Sequence, residues 1–222
     1  STFVDISAIA PGVNVAKNEG FKTVITIRGV GYETNQNAIA TPSVSYHLDG
    51  IYIASPYSLQ TEFMDLERIE VLRGPQGTLF GQNSTGGAIN VITAAPSLEE
   101  SSSYGDITVG DYSLIKTRVS FNKPLSETVA VRASFITHKR DGFTDNLSTG
   151  QDLDDADSIS ARVRFLYQPS DTFKANFTAQ IFDENRNGSA QKGLLDTTTD
   201  PRKLRQNSKT EHKLEASLYS AV

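Results

Sequence analysis

The feature that most restricts the fold of this chain is a strict alternation of apolar and polar residues that recurs after Pro96. Successive side chains of a β-strand point to opposite faces, so each alternating segment has one apolar and one polar face. The alternation predicts long strands at residues 115–122, 129–136, 159–168 and 173–182, with weaker copies near 107–109 and 214–218.

Short and long connections alternate between these strands. Residues 123–127 and 168–172 are predicted as tight turns, whereas 139–157 and 183–209 are long and polar. Tight turns at one end and long loops at the other are typical of an outer-membrane barrel. A soluble β-sandwich also alternates and is the alternative. Strands of about ten residues have the length needed to span a bilayer when tilted. The polar faces carry cations that a water-filled interior would hydrate, namely Arg118, Arg132, Arg162, Arg164 and Lys174.

We therefore favour a transmembrane antiparallel β-barrel over the sandwich. An open sheet edge in lipid leaves backbone N–H and C=O groups without partners. The predicted strands are too few to close a wide barrel, so we expect this sequence to be a fragment of a longer chain.

The residues before Pro96 follow a different pattern, in which short β-branched runs are separated by glycine-rich loops. These runs predict strands at 24–27, 44–48, 51–53, 69–72 and 88–92. Asp49-Gly50 lies between two of them and predicts a hairpin turn, and residues 63–66 are predicted as a short helix. We expect a compact, mostly β first domain at residues 1–98 and barrel strands at residues 99–222.

Composition and motifs exclude several classes of function. The 222 residues contain no cysteine, which excludes a disulfide framework, an iron–sulfur site and a cysteine nucleophile. A net charge of −5 argues against a nucleic-acid partner. His47, His138 and His212 are far apart in sequence, and there is no P-loop or nucleophile elbow. We therefore predict no catalytic residue and no metal site, and the protein is not expected to be an enzyme.

Two acidic stretches are candidate calcium sites. Residues 183–188 match the first half of an EF-hand loop, but Leu194 stands where the bidentate glutamate belongs. The other stretch contains four carboxylates: Asp152, Asp154, Asp155 and Asp157. A solvated, charged loop is the favoured interpretation of both.

Three stretches of the first region closely resemble the plug domain of TonB-dependent outer-membrane receptors. They are residues 27–31 (IRGVG), 46–52 (YHLDGIY) and 66–93 (LERIEVLRGPQGTLFGQNSTGGAINVIT). Residues 132–134 and 141–146 resemble the early barrel strands of the same family. The resemblance implies an all-β dominated chain, with a mixed α/β plug inside a barrel of about 22 strands. It also implies that the N-terminus of the plug and most of the barrel are missing from this sequence.

The resemblance also implies site residues. Arginines at the positions of Arg28 and Arg73 pair with glutamates of the barrel wall in this family; the alternative is a local pair with Glu67 or Glu70. Plug loops that face outward contact the ligand, and rings and amides there suit a polar ligand with aromatic or hydroxyl groups. By position, these ligand-binding residues are Tyr32, Glu33, Asn35, Gln36, Tyr57 and Gln60.

The function implied is energised uptake of a scarce nutrient across the outer membrane of a Gram-negative cell. In this family the nutrient is most often a ferric siderophore, which would be cargo, and no covalently bound cofactor is expected. The expected partners are TonB with its inner-membrane energising complex, outer-membrane lipid and a small-molecule ligand. The alternatives are a plugged structural or surface-binding barrel without transport, or TonB-dependent uptake of cobalamin, a carbohydrate or an aromatic compound.

Overall fold

The computed structural model describes residues 6–18, 22–31, 42–53 and 63–222. The chain divides into two compact units, Ser1–Ala94 and Ala95–Val222. Among the residues that the structure describes, no helix has the length and apolar character needed to cross a membrane.

The described part of the first unit contains two helices of four residues each and two small sheets. A three-stranded antiparallel sheet has the order β1-β2-β3, and a four-stranded sheet has the order β5-β4-β7-β6, in which β4 and β7 are parallel. The elements are α1 (Ile6–Ile9), β1 (Val13–Asn18), β2 (Lys22–Ile27), β3 (Val30–Gly31), β4 (Val44–Leu48), β5 (Ile51–Tyr52), β6 (Leu66–Arg73), α2 (Gly77–Phe80) and β7 (Gly87–Thr93).

The core of the first unit is formed by apolar residues of α1 and of both sheets. Ile6 of α1 and Ile27 of β2 are each 1% exposed, and Ile89 of β7 is fully buried. They belong to one cluster with Val13, Val15, Val44, Tyr46 and Val91. The β-branched runs of the sequence are therefore strands that share one core, as predicted.

Two hairpins of this unit turn through pairs of residues with positive φ. Asp49-Gly50 has φ values of 51° and 81° between β4 and β5, and Arg28-Gly29 has values of 52° and 78° between β2 and β3. Positive φ at both central residues is the requirement of a type I′ turn, which matches the twist of the flanking strands. The predicted Asp49-Gly50 turn is confirmed.

The helix predicted at residues 63–66 is wrong. Asp65 has a φ of 52°, which is incompatible with a right-handed helix, and Leu66 already begins β6. Phe63 and Met64 are buried, so their apolar character reflects packing rather than a helical face. The helical turn of this region is α2, which follows β6.

The second unit, which the structure describes in full, is dominated by six long strands. They form an antiparallel sheet in the order β8-β9-β10-β13-β14-β16, and a small sheet has the order β12-β11-β15. The elements are β8 (Ser102–Gly110), β9 (Leu114–Ser126), β10 (Val129–Arg140), β11 (Thr144–Asn146), β12 (Gln151–Leu153), β13 (Ala156–Ser170), β14 (Phe173–Arg186), β15 (Lys203–Leu204) and β16 (His212–Ala221).

In the six-stranded sheet the apolar face is exposed and the polar face is buried, which is the inverse of a water-soluble protein. On β13, Val163 and Phe165 are 50% and 37% exposed, whereas Arg162 and Arg164 are 5% and 9% exposed. A soluble sandwich would bury the apolar face and hydrate the arginines. A membrane barrel turns its apolar face to lipid and its polar face inward, so the structure supports the barrel interpretation.

Both tight turns are shorter than predicted, because their prolines belong to strands. β9 and β10 are joined by Glu127-Thr128, and β13 and β14 by Asp171-Thr172. The register shifts next to Pro124 and again next to Pro169. A bulge tolerates proline, which cannot donate a ladder hydrogen bond, so each strand continues through its proline to a two-residue turn.

Candidate functional site

The polar face of the six-stranded sheet carries a strong excess of positive charge. Strand alternation assigns eight cations and two carboxylates to this face, a formal difference of +6 in a chain of net charge −5. The carboxylates are Asp106 and Glu184. The cations are Lys116, Arg118, Arg132, Arg140, Arg162, Arg164, Lys174 and Arg186. Such a surface attracts anionic solutes through its summed field.

Defined hydrogen bonds orient several of these side chains. Arg118 makes a two-pronged ion pair with Asp106 on the neighbouring strand, with Nε–Oδ2 and Nη2–Oδ1 distances of 2.7 and 2.9 Å. Arg162 donates from Nε to Oε1 of Gln180 at 2.9 Å. Arg132 and Arg164 are directly paired across β10 and β13. Arginine retains its charge in such surroundings, so the face stays cationic.

Two amide side chains, of which Asn146 is buried, join the loops at the end of this sheet that carries the long connections. Asn146 of β11 donates to the carbonyl of Gln206 at 3.0 Å and accepts from its N–H at 3.1 Å. Gln151 of β12 makes the equivalent pair with the backbone of Thr210, at 2.6 and 3.0 Å. Each side-chain amide bonds to both the N–H and the carbonyl of one residue in the long segment before β16. These bonds hold that segment against the β11–β12 hairpin.

The acidic stretches of the loops are used for backbone and side-chain hydrogen bonds. Residues 183–186 of the partial EF-hand match belong to β14 and do not form a loop. Asp154 accepts from the Thr144 hydroxyl at 2.7 Å and from the Ala190 N–H at 3.1 Å. Hydrogen bonds from the N–H groups of Thr198 and Arg205 lower the pKa of Asp196 to about 2. Within the described residues, no three His, Asp or Glu side chains are grouped to hold a metal.

A chain of polar contacts crosses the four-stranded sheet of the first unit. The Gly50 N–H donates to Asn90 Oδ1 at 3.3 Å, and Asn90 Nδ2 donates to Glu70 Oε2 at 3.1 Å. Glu70 Oε1 accepts from Arg68 Nε at 2.8 Å. This bond lowers the pKa of Glu70 and raises the pKa of Arg68. Sequence reasoning missed this chain, although Arg68 and Glu70, two residues apart on a strand, share a face.

Asp49, in the β4–β5 turn, is hydrogen-bonded to the end of a neighbouring strand of the same sheet. Its Oδ1 accepts from the Thr93 N–H at 2.8 Å, and its Oδ2 accepts from the Thr93 hydroxyl at 2.7 Å. The turn of the YHLDGIY stretch is thereby attached to the end of β7. These contacts give a structural reason for an aspartate, rather than any turn former, at position 49.

The structure places only part of the predicted site. Arg28 and Arg73 are both exposed, and neither forms an ion pair with any described residue. Glu67 and Glu70, their suggested local partners, instead contact Arg68. The pairing with a barrel wall stays a prediction. Tyr32, Glu33, Asn35, Gln36, Tyr57 and Gln60 lie outside the described residues, so their assignment to the ligand site also stays a prediction.

Comparison with known proteins defines the class. Residues 1–88 match the family model described as TonB-dependent Receptor Plug Domain. The first unit is therefore a TonB-dependent receptor plug domain, and with the relatives below the chain corresponds to the plug and early barrel strands of such receptors of the Gram-negative outer membrane. These proteins are of the receptor and transporter type.

Individual relatives extend the match into the second unit. The pesticin receptor of Yersinia pestis is 33% identical over 150 residues, which cover 65% of this chain and 21% of the receptor. The ferric enterobactin receptor PirA of Pseudomonas aeruginosa is 26% identical over 251 residues, covering 94% and 33%. The crystal structure of the ferric yersiniabactin uptake receptor FyuA from Yersinia pestis superimposes with a TM-score of 0.80 at 24% identity, covering 97% and 34%. The chain therefore spans about a third or less of each relative.

Proposed function

We propose that the protein containing this chain imports a ferric siderophore across the outer membrane, powered by TonB and its inner-membrane complex. The observation that carries the proposal is the joint presence of a plug domain and a sheet with a cationic polar face and an apolar outer face. A plug has a purpose only where a wide pore would otherwise be open. Transport through such a pore needs an energy source.

The charge of the polar face supports an anionic cargo. The formal difference of +6 on this face contrasts with the acidic chain as a whole. Iron chelates built from carboxylate or catecholate groups are frequently anionic, and arginine binds such oxygens through paired hydrogen bonds. FyuA is named as a receptor for ferric yersiniabactin and PirA as a receptor for ferric enterobactin, which agrees with this chemistry.

Uptake of radiolabelled iron by the full-length protein tests the proposal. Cells lacking other siderophore receptors would express it with and without TonB, and would be offered catecholate, hydroxamate and carboxylate chelates separately. We expect at least one chelate to accumulate only when TonB is present. Accumulation of none, or accumulation that ignores TonB, would contradict the proposal; TonB-dependent uptake of cobalamin or a carbohydrate would establish the non-iron alternative.

Neighbouring residues on β13 provide a matched test of the cationic face. The double variant Arg162→Gln and Arg164→Gln removes two charges from the polar face, and we expect it to weaken chelate binding by about tenfold or more, as for loss of charge-assisted hydrogen bonds. Val163→Ala, on the opposite face between them, is the control and should retain binding. Equal binding by all three proteins would refute the role of the cationic face.

A further inference from the structure

A transverse row of polar side chains crosses the four-stranded sheet of the first unit. The register pairs Tyr52 with His47, His47 with Asn90, and Asn90 with Glu70, so that each strand contributes one residue. The neighbouring positions Tyr46 and Val91 belong to the apolar core. Since side chains alternate along a strand, the row lies on the face opposite the core.

His47 is the enclosed member of this row, with 4% of its surface exposed. The ring of Phe80, the last residue of α2, meets it edge-on at a centroid distance of 4.8 Å. The Tyr52 ring lies at a centroid distance of 5.6 Å. His47 Nε2 is 3.2 Å from the Ser45 hydroxyl. The imidazole is therefore surrounded by two aromatic rings and a neutral hydroxyl.

A short loop, residues 74–86, provides the cover over His47. We call it the cover loop; it contains α2 and is closed at its base by a hydrogen bond from the Gly74 N–H to the Gly86 carbonyl at 3.2 Å. Its contacts with the row are the Phe80 ring and a bond from Asn83 Nδ2 to the Tyr52 hydroxyl at 2.8 Å. A backbone hydrogen bond from the Gly86 N–H to the Ser43 carbonyl at 2.8 Å also fixes the end of the loop beside β4.

The charged groups around His47 do not form a partner for an imidazolium. Asp49, in the turn after β4, is bonded to Thr93, and Glu70 on β6 is bonded to Asn90 and Arg68. Tyr52 is the titratable group of β5, β7 contributes only Asn90 to the row, and residues 74–86 contain no ionisable side chain. In the part of the chain that the structure describes, no carboxylate is hydrogen-bonded to His47.

We propose that His47 and the cover loop form a pH-sensitive latch, in which the loop is closed over a neutral imidazole and is released when the imidazole takes up a proton. Protonation places a charge on a buried side chain, whereas opening the loop hydrates that charge. The latch is independent of the cargo, and so goes beyond the proposed function.

The direction of the pH dependence follows from burial. Desolvation lowers the pKa of His47, and the nearby Gly50 backbone offsets part of this effect. The open form therefore binds the proton more tightly than the closed form. The closed form has its full stability above the ordinary histidine pKa of about 6.5, and loses it as the pH falls below that value. Each unit of pKa difference shifts the closed-to-open ratio by up to about tenfold.

Hydrogen–deuterium exchange of the full-length protein in detergent tests the latch. Peptides covering residues 74–86 would be compared at pH 7.5 and pH 5, after correction for the pH dependence of intrinsic exchange. We expect corrected exchange of these peptides to increase severalfold at pH 5. His47→Phe and His47→Gln should both lose this increase, because neither side chain titrates. His138→Gln, on β10 of the second unit, should keep it.

Either of two results would overturn the proposal. One is corrected exchange in residues 74–86 that is the same at both pH values in the wild-type protein. The other is a wild-type pH response that persists in the His47 variants. The glutamine variant keeps the test decisive if phenylalanine at position 47 prevents folding, because glutamine can still bond to the Ser45 hydroxyl. Cargo uptake is not measured, so failure of the latch and failure of the import proposal are separate outcomes.

Discussion

The strand register predicts how deep each outward-facing residue lies in the membrane. Rows of paired residues cross the sheet, and we number the outward rows from the loop end, so that Ile115 is in the first row. On five of the six strands the first apolar residue moves down these rows: Val109 and Ile115 are in the first row, Ile159 is in the second, Ile181 in the third and Tyr219 in the fourth. On β10 it is Phe135 in the third row, because the polar residues Lys139 and Thr137 occupy the first two rows. The outward charges on the loop side of this line are Lys139, Asp157, Asp183, Lys213 and Glu215.

This diagonal boundary gives the strand tilt. It descends three rows, or six residues, across the five steps from β8 to β16. At about 3.3 Å per residue and about 4.8 Å between strands, this is a descent of about 20 Å over about 24 Å, an angle of about 40°. Barrel strands are tilted by about 35–45°, so the diagonal agrees with a flat membrane surface crossed by tilted strands.

Two residues of the same row test this geometry. Val119 of β9 and Ser217 of β16 are both in the third row, connected through Phe135, Ala161 and Ile181. Four strand steps at a tilt of about 40° separate them by about 12 Å in depth. Val119 then lies near the middle of an apolar band of about 25 Å, and Ser217 lies near its outer edge.

Lysine at these two positions should therefore have unequal effects. We expect Val119→Lys to lower the free energy of unfolding by about 2–4 kcal/mol and Ser217→Lys by about 0–1 kcal/mol, the costs measured at the midplane and near the interface. Urea titration of the full-length protein in phospholipid vesicles measures both. Val119→Ala is the control for loss of the valine side chain. Equal costs for the two lysines would refute the tilt and the membrane boundary derived from it.

Three further predictions concern the turns and loops. Asp49→Ala removes both bonds to Thr93 and should destabilise the first unit by about 1–3 kcal/mol; Asp49→Asn, which keeps one acceptor, should lose less, as measured by hydrogen exchange in β7. Arg28→Gly relieves a left-handed backbone and should stabilise the β2–β3 hairpin by about 1 kcal/mol, while iron uptake falls if Arg28 has its predicted role; unchanged uptake would exclude that role. Asn146→Ala frees the Gln206 backbone, so residues 187–211 should be cleaved faster by protease, whereas Ser148→Ala should have no effect.

The sequence predicted the features of the fold that depend on local pattern. Period-two alternation fixed the long strands, since a slip of one residue would exchange the lipid and polar faces of every side chain. Asp49-Gly50 was predictable because few residue pairs adopt positive φ twice in succession. The exact turns after Pro124 and Pro169 were not predictable, because the position of a bulge depends on how the partner strand is aligned. The helix at residues 63–66 was mistaken because burial of Phe63 and Met64 by the core looks the same in sequence as a helical face.

The polar contacts of the first unit show where sequence reasoning stops. His47 and Asn90 are 43 residues apart, and only the parallel pairing of β4 with β7 places them side by side. Asn90 then meets Glu70 because β6 returns antiparallel on the other side of β7. The amino-acid composition does not predict which of these residues are neighbours. The YHLDGIY stretch by itself does not predict a role for His47. Its enclosure by Phe80 depends on a loop 33 residues further along the chain, so a titratable group in this sheet becomes a candidate switch only when strand order and loop closure are both known.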